Sequence, residues 1–315
     1  MKIYFAPLEG ITDYIYRNNF EKYYGGVDQY YTPFLSPNDT ECFTAREWKN
    51  IDPDHNKSIK VIPQLLVSRA DHFLWAAKEL ENLGYQEINY NLGCPSGTVV
   101  AKKKGSGFLF YPEELDEFLK EIFHVYSGTG LKISVKTRIG KNDPEECYEL
   151  LEIFNKYPIH ELIVHPRIQK DYYREPVRMS YFEHIYHQSR NPVVYNGEIH
   201  TLEDIKRIEE KYPNLSSIMI GRALIKNPEL LIQKNNNEKM NEERFRAFHD
   251  DILRGYEEIM TSDDHVLSRM KELWAFWIDS IGENTSTYKK IRKTKRISEY
   301  KILTNQIFHE SEKLQ

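Results

Sequence analysis

Residues 87–95 read Glu87-Ile88-Asn89-Tyr90-Asn91-Leu92-Gly93-Cys94-Pro95, a short apolar run that stops in a polar tip of Asn, Gly, Cys and Pro. Seven further apolar or β-branched runs occur in the first 220 residues: Ile3–Ala6, Val27–Tyr31, Ile59–Ile62, Leu131–Val135, Leu162–Val164, Val193–Tyr195 and Ile218–Ile220. Most end in the same manner, at Pro7-Leu8-Glu9-Gly10, Gln64, Lys136-Thr137-Arg138, His165-Pro166-Arg167, Asn196-Gly197-Glu198 and Gly221-Arg222. Strands that stop together in polar clusters put those clusters on one rim.

Between most of the runs lie segments with helical period and helix-start signals: Ser68–Asp71, Pro112–Glu114, Asp143–Glu146 and Thr201–Asp204. Strand and helix alternate, which predicts parallel strands joined by crossover helices. Eight such units match the α/β class as a closed (β/α)8 TIM barrel. A doubly wound sheet would need a Gly-rich turn after the first strand, and Pro7-Leu8-Glu9-Gly10 is not one. Alternation ends after Pro228. A polar stretch at 234–239 reads as a linker, and 242–259, 263–281 and 286–310 read as helices with apolar faces, including Leu267, Met270, Trp274 and Trp277. The expected division is a barrel domain at 1–238 and a small helical-bundle domain at 239–315.

The chain has 315 residues, 40% hydrophobic and 29% charged, enough apolar side chain for a large core and too much for global disorder. No apolar run approaches the roughly 18 residues of a spanning helix, and Glu9 and Asp13 interrupt any secretory signal, so a cytoplasmic protein without membrane attachment is expected. Cys42, Cys94 and Cys147 are odd in number and lack CxxC spacing, which excludes a disulfide framework and a structural zinc site; no metal is expected. Net charge is -5, so polyanions gain no overall attraction. Local charge differs. Lys102-Lys103-Lys104 is one basic cluster, and Lys289, Lys290, Arg292, Lys293, Lys295 and Arg296 occupy six of eight positions in another.

The rim carries the chemistry of such a barrel. Cys94 sits in a Gly-Cys-Pro turn that faces it. Lys136 ends a strand whose other inward residues are apolar, and His165 and Arg167, two apart, share a strand face. Asn196-Gly197 and Gly221-Arg222 follow the seventh and eighth strands, where barrels hold a phosphate. A phosphate on one side, a lysine and a histidine centrally and a thiol opposite suit flavin mononucleotide (FMN).

The segments Ala6–Asp13, Asn91–Pro95, Val135–Arg138, Val164–Arg167, Tyr195–Ile199 and Ile220–Ala223, in this order and spacing, resemble the bacterial, FMN-dependent tRNA-dihydrouridine synthases from end to end. The resemblance implies an oxidoreductase that uses NADPH to reduce the C5–C6 double bond of uridine in tRNA, with hydride reaching C6 while Cys94 protonates C5. An ordinary thiol pKa of about 8.5 keeps such a donor protonated at neutral pH. It implies that Pro7, Leu8 and Gln64 contact the flavin ring and Lys136 and His165 its polar edge, and that Asn196, Gly197, Gly221 and Arg222 hold its phosphate. Asn91 and Arg138 would hold the uracil edge, with Arg167 also on the substrate side. The two basic runs would contact RNA, because a stacked uridine must leave its helix to reach the rim and charge must compensate. A monomer is expected. Ribosomal RNA as substrate, and a flavin barrel reducing a free small molecule, are the alternatives. Pro166 and the Ser96-Gly97-Thr98 turn depart from the family's usual pattern, next to the uracil pocket.

Overall fold

The computed structural model describes residues 1–234, 240–281 and 285–312; most of the expected linker, and the expected boundary at 238/239, lie outside the described residues. All eight runs form strands, in nine pieces: β1 (Lys2–Phe5), β2 (Gln29–Tyr31), β3 (Val61–Ile62), β4 (Gln64–Leu65), β5 (Glu87–Leu92), β6 (Lys132–Gly140), β7 (Leu162–Ile168), β8 (Val193–Tyr195) and β9 (Ser217–Ile220). Every pairing is parallel, in the order β3-β2-β1-β9-β8-β7-β6-β5-β4. The two ends of that order are one segment split at Pro63, so the sheet meets itself as a nearly closed barrel. Proline has no N–H to continue a ladder. Before it the segment pairs with β2; after it, with β5, and the Pro63 carbonyl accepts from Asn89 N at 2.9 Å. This strand therefore extends to Leu65, beyond the expected Ile59–Ile62.

The chain divides into two compact units. The first comprises Met1–Ala6, Asp28–Ile199 and Arg207–Ile220, and contains the whole barrel sheet. Its interior holds Tyr4, Ala6, Tyr31, Ile62, Ile163, Val194 and Met219, all buried. Helices Ala70–Asn82, Pro112–Tyr126 and Glu146–Phe154 start where the sequence signals place them, and they bury apolar stripes such as Leu115, Phe118, Leu119 and Ile122.

The second unit comprises Pro7–Val27, His200–Lys206 and Gly221–Gln315. Helix Tyr14–Tyr23 is capped by Asp13, which accepts from Tyr16 N at 3.1 Å and from the Tyr256 hydroxyl at 3.0 Å. Helices Glu242–Ile259 and Asp263–Ile281 have the expected bounds. Phe245, Phe248, Trp274 and Trp277 pack with ring centroids 5.2–6.5 Å apart, so the aromatic stripe is core. The single helix expected over 286–310 is two, Thr285–Ile291 and Ile297–Glu312. The cations between them repel at helical spacing, and the buried Thr294 hydroxyl donates to the Ile291 carbonyl at 2.8 Å, which competes with helix continuation. Among the described residues, no helix is long and apolar enough to cross a membrane.

Candidate active site

In the first unit the polar strand tips converge on the loop that follows β5. Asn91 ends the inward row of β5 and its Oδ1 accepts from the backbone N–H of Gly93 and of Cys94, each at 2.9 Å. This is an Asx turn, made possible by the short asparagine side chain. From behind, Ser106 donates to the Cys94 carbonyl through its N–H (3.1 Å) and its hydroxyl (2.8 Å). Gly105 makes that approach possible: its φ is +56°, and a Cβ there would lie 2.8 Å from the Cys94 oxygen and 3.0 Å from the Cys94 Cβ. Gln169 Nε2 donates to the Pro95 carbonyl at 3.1 Å. The Cys94 thiol, half-buried, is thus carried by a backbone held from three sides. Cys42 is exposed, and burial pushes the Cys147 thiol up to about 12.

Lys136, on β6, has a pKa pulled down to about 7, first by burial and then by Arg138, with Cys94 acting in the opposite direction. Some of its surface remains open. Among the described residues its ammonium makes no ion pair or hydrogen bond, so an anionic group at the rim would be electrostatically welcome there. Arg138, 1% exposed, donates to three backbone carbonyls: Gly93 (3.0 Å), Ile168 (2.7 Å) and Tyr172 (2.7 Å). It ties the Cys94 loop to the segment after β7, and burial lowers its pKa. His165 pairs in register with Arg138 across β6 and β7. Arg167 Nη1 reaches His165 Nε2 at 2.8 Å, while its other nitrogens hold the Glu198 carboxylate and the Glu175 carbonyl. The half-exposed Tyr173 ring stacks on His165 at 5.9 Å and lies 5.4 Å from the Arg138 guanidinium carbon.

Gln64 is buried and bonds to both asparagines of β5, accepting from Asn91 Nδ2 at 2.7 Å and donating to Asn89 Oδ1 at 2.8 Å. Asn196 donates to the Met219 carbonyl at 2.8 Å. Gly197 is required by its neighbour, since a Cβ would lie 2.0 Å from the Tyr195 hydroxyl. The first unit therefore collects Cys94, Gln64, Asn91, Lys136, Arg138, His165, Arg167, Asn196 and Gly197 around one set of strand ends. Pro7, Leu8, Gly221 and Arg222 belong to the second unit, directly after β1 and β9 in the chain. There Leu8 is fixed by Thr12, whose hydroxyl accepts from Leu8 N at 2.9 Å, and Gly221 opens the short helix Arg222–Lys226.

The two basic runs differ. Lys103 pairs with Glu114 (3.1 Å), Lys104 turns inward to the Ser36 hydroxyl (2.8 Å), and Lys102 is exposed. In the second unit, Lys289, Lys290, Arg292, Lys293, Lys295 and Arg296 are all exposed around buried Ile291 and Thr294.

Sequence reasoning missed Gly105, Ser106, Asn89, Glu198 and Tyr173. Only Asn89, inward at i−2 from Asn91, had a periodic signal. The others act across loops, where periodicity carries no information.

A family model described as "Dihydrouridine synthase (Dus)" matches residues 4–315. The chain is similar to the tRNA-dihydrouridine(16) synthase of Pseudomonas putida, with 28% identity over 74% of this chain and 73% of that one. It is similar to tRNA-dihydrouridine synthase B of Pasteurella multocida at 27% identity, over 76% and 74% of the two chains. With the tRNA-dihydrouridine(16) synthase of Vibrio vulnificus it shares 24% identity over 100% and 99%. Among solved structures, a variant of NCR from Zymomonas mobilis has a TM-score of 0.51 at 13% identity, covering 78% of this chain and 90% of that one. The old yellow enzyme from Trypanosoma cruzi has a TM-score of 0.50 at 10% identity, covering 82% and 94%. These two likenesses speak for the barrel alone. The match along residues 4–315, over a barrel whose rim carries the Asn91–Pro95 turn with Lys136 and His165, makes this chain a member of the dihydrouridine synthase family.

Proposed function

We propose that the protein is an FMN-dependent tRNA-dihydrouridine synthase that uses NADPH to reduce uridine to 5,6-dihydrouridine in the cytoplasm. The observation that carries the reading is the presence at one rim of a largely buried Lys136 amine, without an ion pair among the described residues, and the rigidly held Cys94 loop.

FMN, when bound, would take hydride from NADPH and supply it to C6 of uracil. Lys136 and His165 would hold the flavin's polar edge, with Gln64, Pro7 and Leu8 at its ring and Asn196, Gly197, Gly221 and Arg222 at its phosphate. The residues fit such a group: a buried cation without a counter-ion favours an anionic ring, and binding an anion raises its depressed pKa. Cys94 supplies the proton at C5, and its thiolate is afterwards reprotonated from solvent. Asn91 and Arg138 meet the uracil edge. Asn91 retains one amide N–H beyond the bond to Gln64, and a guanidinium has five N–H groups, of which Arg138 commits three to carbonyls and a further one to the Tyr173 side chain. Arg167 acts on the substrate side. Extrusion of the uridine is offset by phosphate contacts of Lys102 to Lys104 and of the 289–296 run, with the RNA bound by a monomer.

The test is a map of dihydrouridine in total RNA from cells with and without the gene, read first at position 16, which the similar Pseudomonas putida and Vibrio vulnificus proteins carry in their names. Loss of at least one tRNA site, with yellow purified protein, supports the reading. Loss confined to ribosomal RNA moves the substrate, and an unchanged map with yellow protein favours a free small molecule.

A further inference from the structure

Five buried polar side chains connect the Cys94 backbone to the far end of the barrel interior. The Gly93 and Cys94 N–H groups donate to Asn91 Oδ1. Asn91 Nδ2 donates to Gln64 Oε1 at 2.7 Å, Gln64 Nε2 to Asn89 Oδ1 at 2.8 Å, and Asn89 Nδ2 to Ser134 Oγ at 3.0 Å. The Ser134 hydroxyl donates to Glu87 Oε1 at 2.8 Å. Asn91, Gln64, Asn89, Ser134 and Glu87 are all at most 7% exposed.

The direction of this chain is forced. A backbone N–H can only donate, so Asn91 must turn its oxygen toward residues 93 and 94 and its NH2 toward Gln64. Gln64 must then accept from Asn91 and donate to Asn89, and Asn89 must do the same toward Ser134. Ser134 receives an N–H, so its own proton has to leave toward an acceptor. Glu87 Oε1 at 2.8 Å is much nearer than the Ile88 carbonyl at 3.5 Å. Without that acceptor the hydroxyl proton is left to the distant Ile88 carbonyl, and the whole row of amides ends on a poorly paired buried donor.

We propose that Glu87 is a positioning residue for Cys94: at the opposite end of β5 it terminates a one-directional chain of hydrogen bonds that holds Asn91, and through Asn91 the backbone of the thiol. The consequence for catalysis rests on the reading of Cys94 as proton donor; the consequence for the loop does not.

The experiment compares Glu87→Gln, which keeps an acceptor oxygen, with Glu87→Met, which removes it, in the full chain. Amide exchange at Gly93 and Cys94 and the alkylation rate of Cys94 by iodoacetamide are read without RNA, and kcat and KM for uridine reduction with it. Loss of one buried hydrogen-bond partner predicts about tenfold faster exchange at both amides in Glu87→Met, with Ile163 and Val194 in the same sheet unchanged. Cys94 alkylation should change in parallel, and kcat should fall about tenfold with KM held. Glu87→Gln should match the parent in each. Parental exchange at Gly93 and Cys94 in a folded Glu87→Met protein overturns the proposal, as does equal behaviour of the two variants. Should Glu87→Met not fold, Ser134→Ala breaks the same chain one link earlier, and parental exchange there overturns it equally. A parent protein that lacks uridine reduction but shows these exchange differences refutes the function while supporting the chain.

Discussion

Arg167 Nη1 lies 2.8 Å from His165 Nε2, two residues along the same face of β7. A guanidinium can only donate, so Nε2 accepts and the neutral imidazole carries its proton on Nδ1. Glu198 and the Glu175 carbonyl fix Arg167, while Arg138 and the Tyr173 ring face the imidazole from neighbouring segments. Nitrogen-15 spectra of the imidazole should show the Nδ1–H tautomer in the parent, and Arg167→Met, which removes the donor to Nε2, should shift the balance toward Nε2–H. A parent ring with its proton on Nε2 would refute the assignment.

Gly105→Ala should shift the thiol as well as weaken the fold. The φ of +56° and the 2.8 Å approach to the Cys94 carbonyl leave no room for a methyl group. A cost of about 1–3 kcal/mol is expected by denaturant titration. Uridine reduction should fall further than that of Gly84→Ala, whose added Cβ at φ +91° meets nothing within 4 Å.

Lys136→Met should stabilise the protein without cofactor, and do so in a pH-dependent way. The folded pKa of about 7 lies below the ordinary 10.5, so the unfolded chain binds more protons between those values and parent stability rises with pH across that window. The advantage of methionine is therefore largest below pH 7, about 2–4 kcal/mol, and shrinks toward pH 10. Equal gains at pH 6.5 and 9.5 in chemical denaturation would show that the lysine is solvated.

Glu87→Gln has the opposite dependence. Burial pushes this carboxyl up to about 7 from 4.5, opposed by the Ser134 hydroxyl and reinforced by Glu161. The native state binds the extra proton between those values, so the parent's advantage below pH 4.5 is lost as pH rises through 7. Glutamine should add about 1–3 kcal/mol at pH 8 and little at pH 4.5. Thermal melts at the two pH values decide it.

Reversing charge at Lys289, Lys290 and Arg292 should weaken tRNA binding and flatten its dependence on salt, by a slope of roughly one per lost phosphate contact. Parallel salt plots for variant and parent would reassign this exposed run to solvation alone.

The alternation of eight apolar runs with helix signals and the polar tips of those runs were legible in the chain, because strand and helix periods are local properties. The split at Pro63 was not read there: the run was expected to stop at Ile62, and the missing proline N–H matters only once both neighbouring strands are in place. Helix bounds at Glu242–Ile259 and Asp263–Ile281 followed from apolar period alone, whereas the break near Thr294 did not. It depends on burying a threonine hydroxyl that the linear pattern reads as one more polar residue. The candidate site divides in the same way. Asn91, Cys94, Lys136 and His165 announce themselves by residue type at strand ends. That Arg138 clamps three carbonyls, that Gly105 backs Cys94 and that Glu87 closes a chain begun at Asn91 required the barrel. These contacts join residues 11 to 47 positions apart. Their direction is set by which donors and acceptors burial leaves facing each other, and only closure of the sheet decides that.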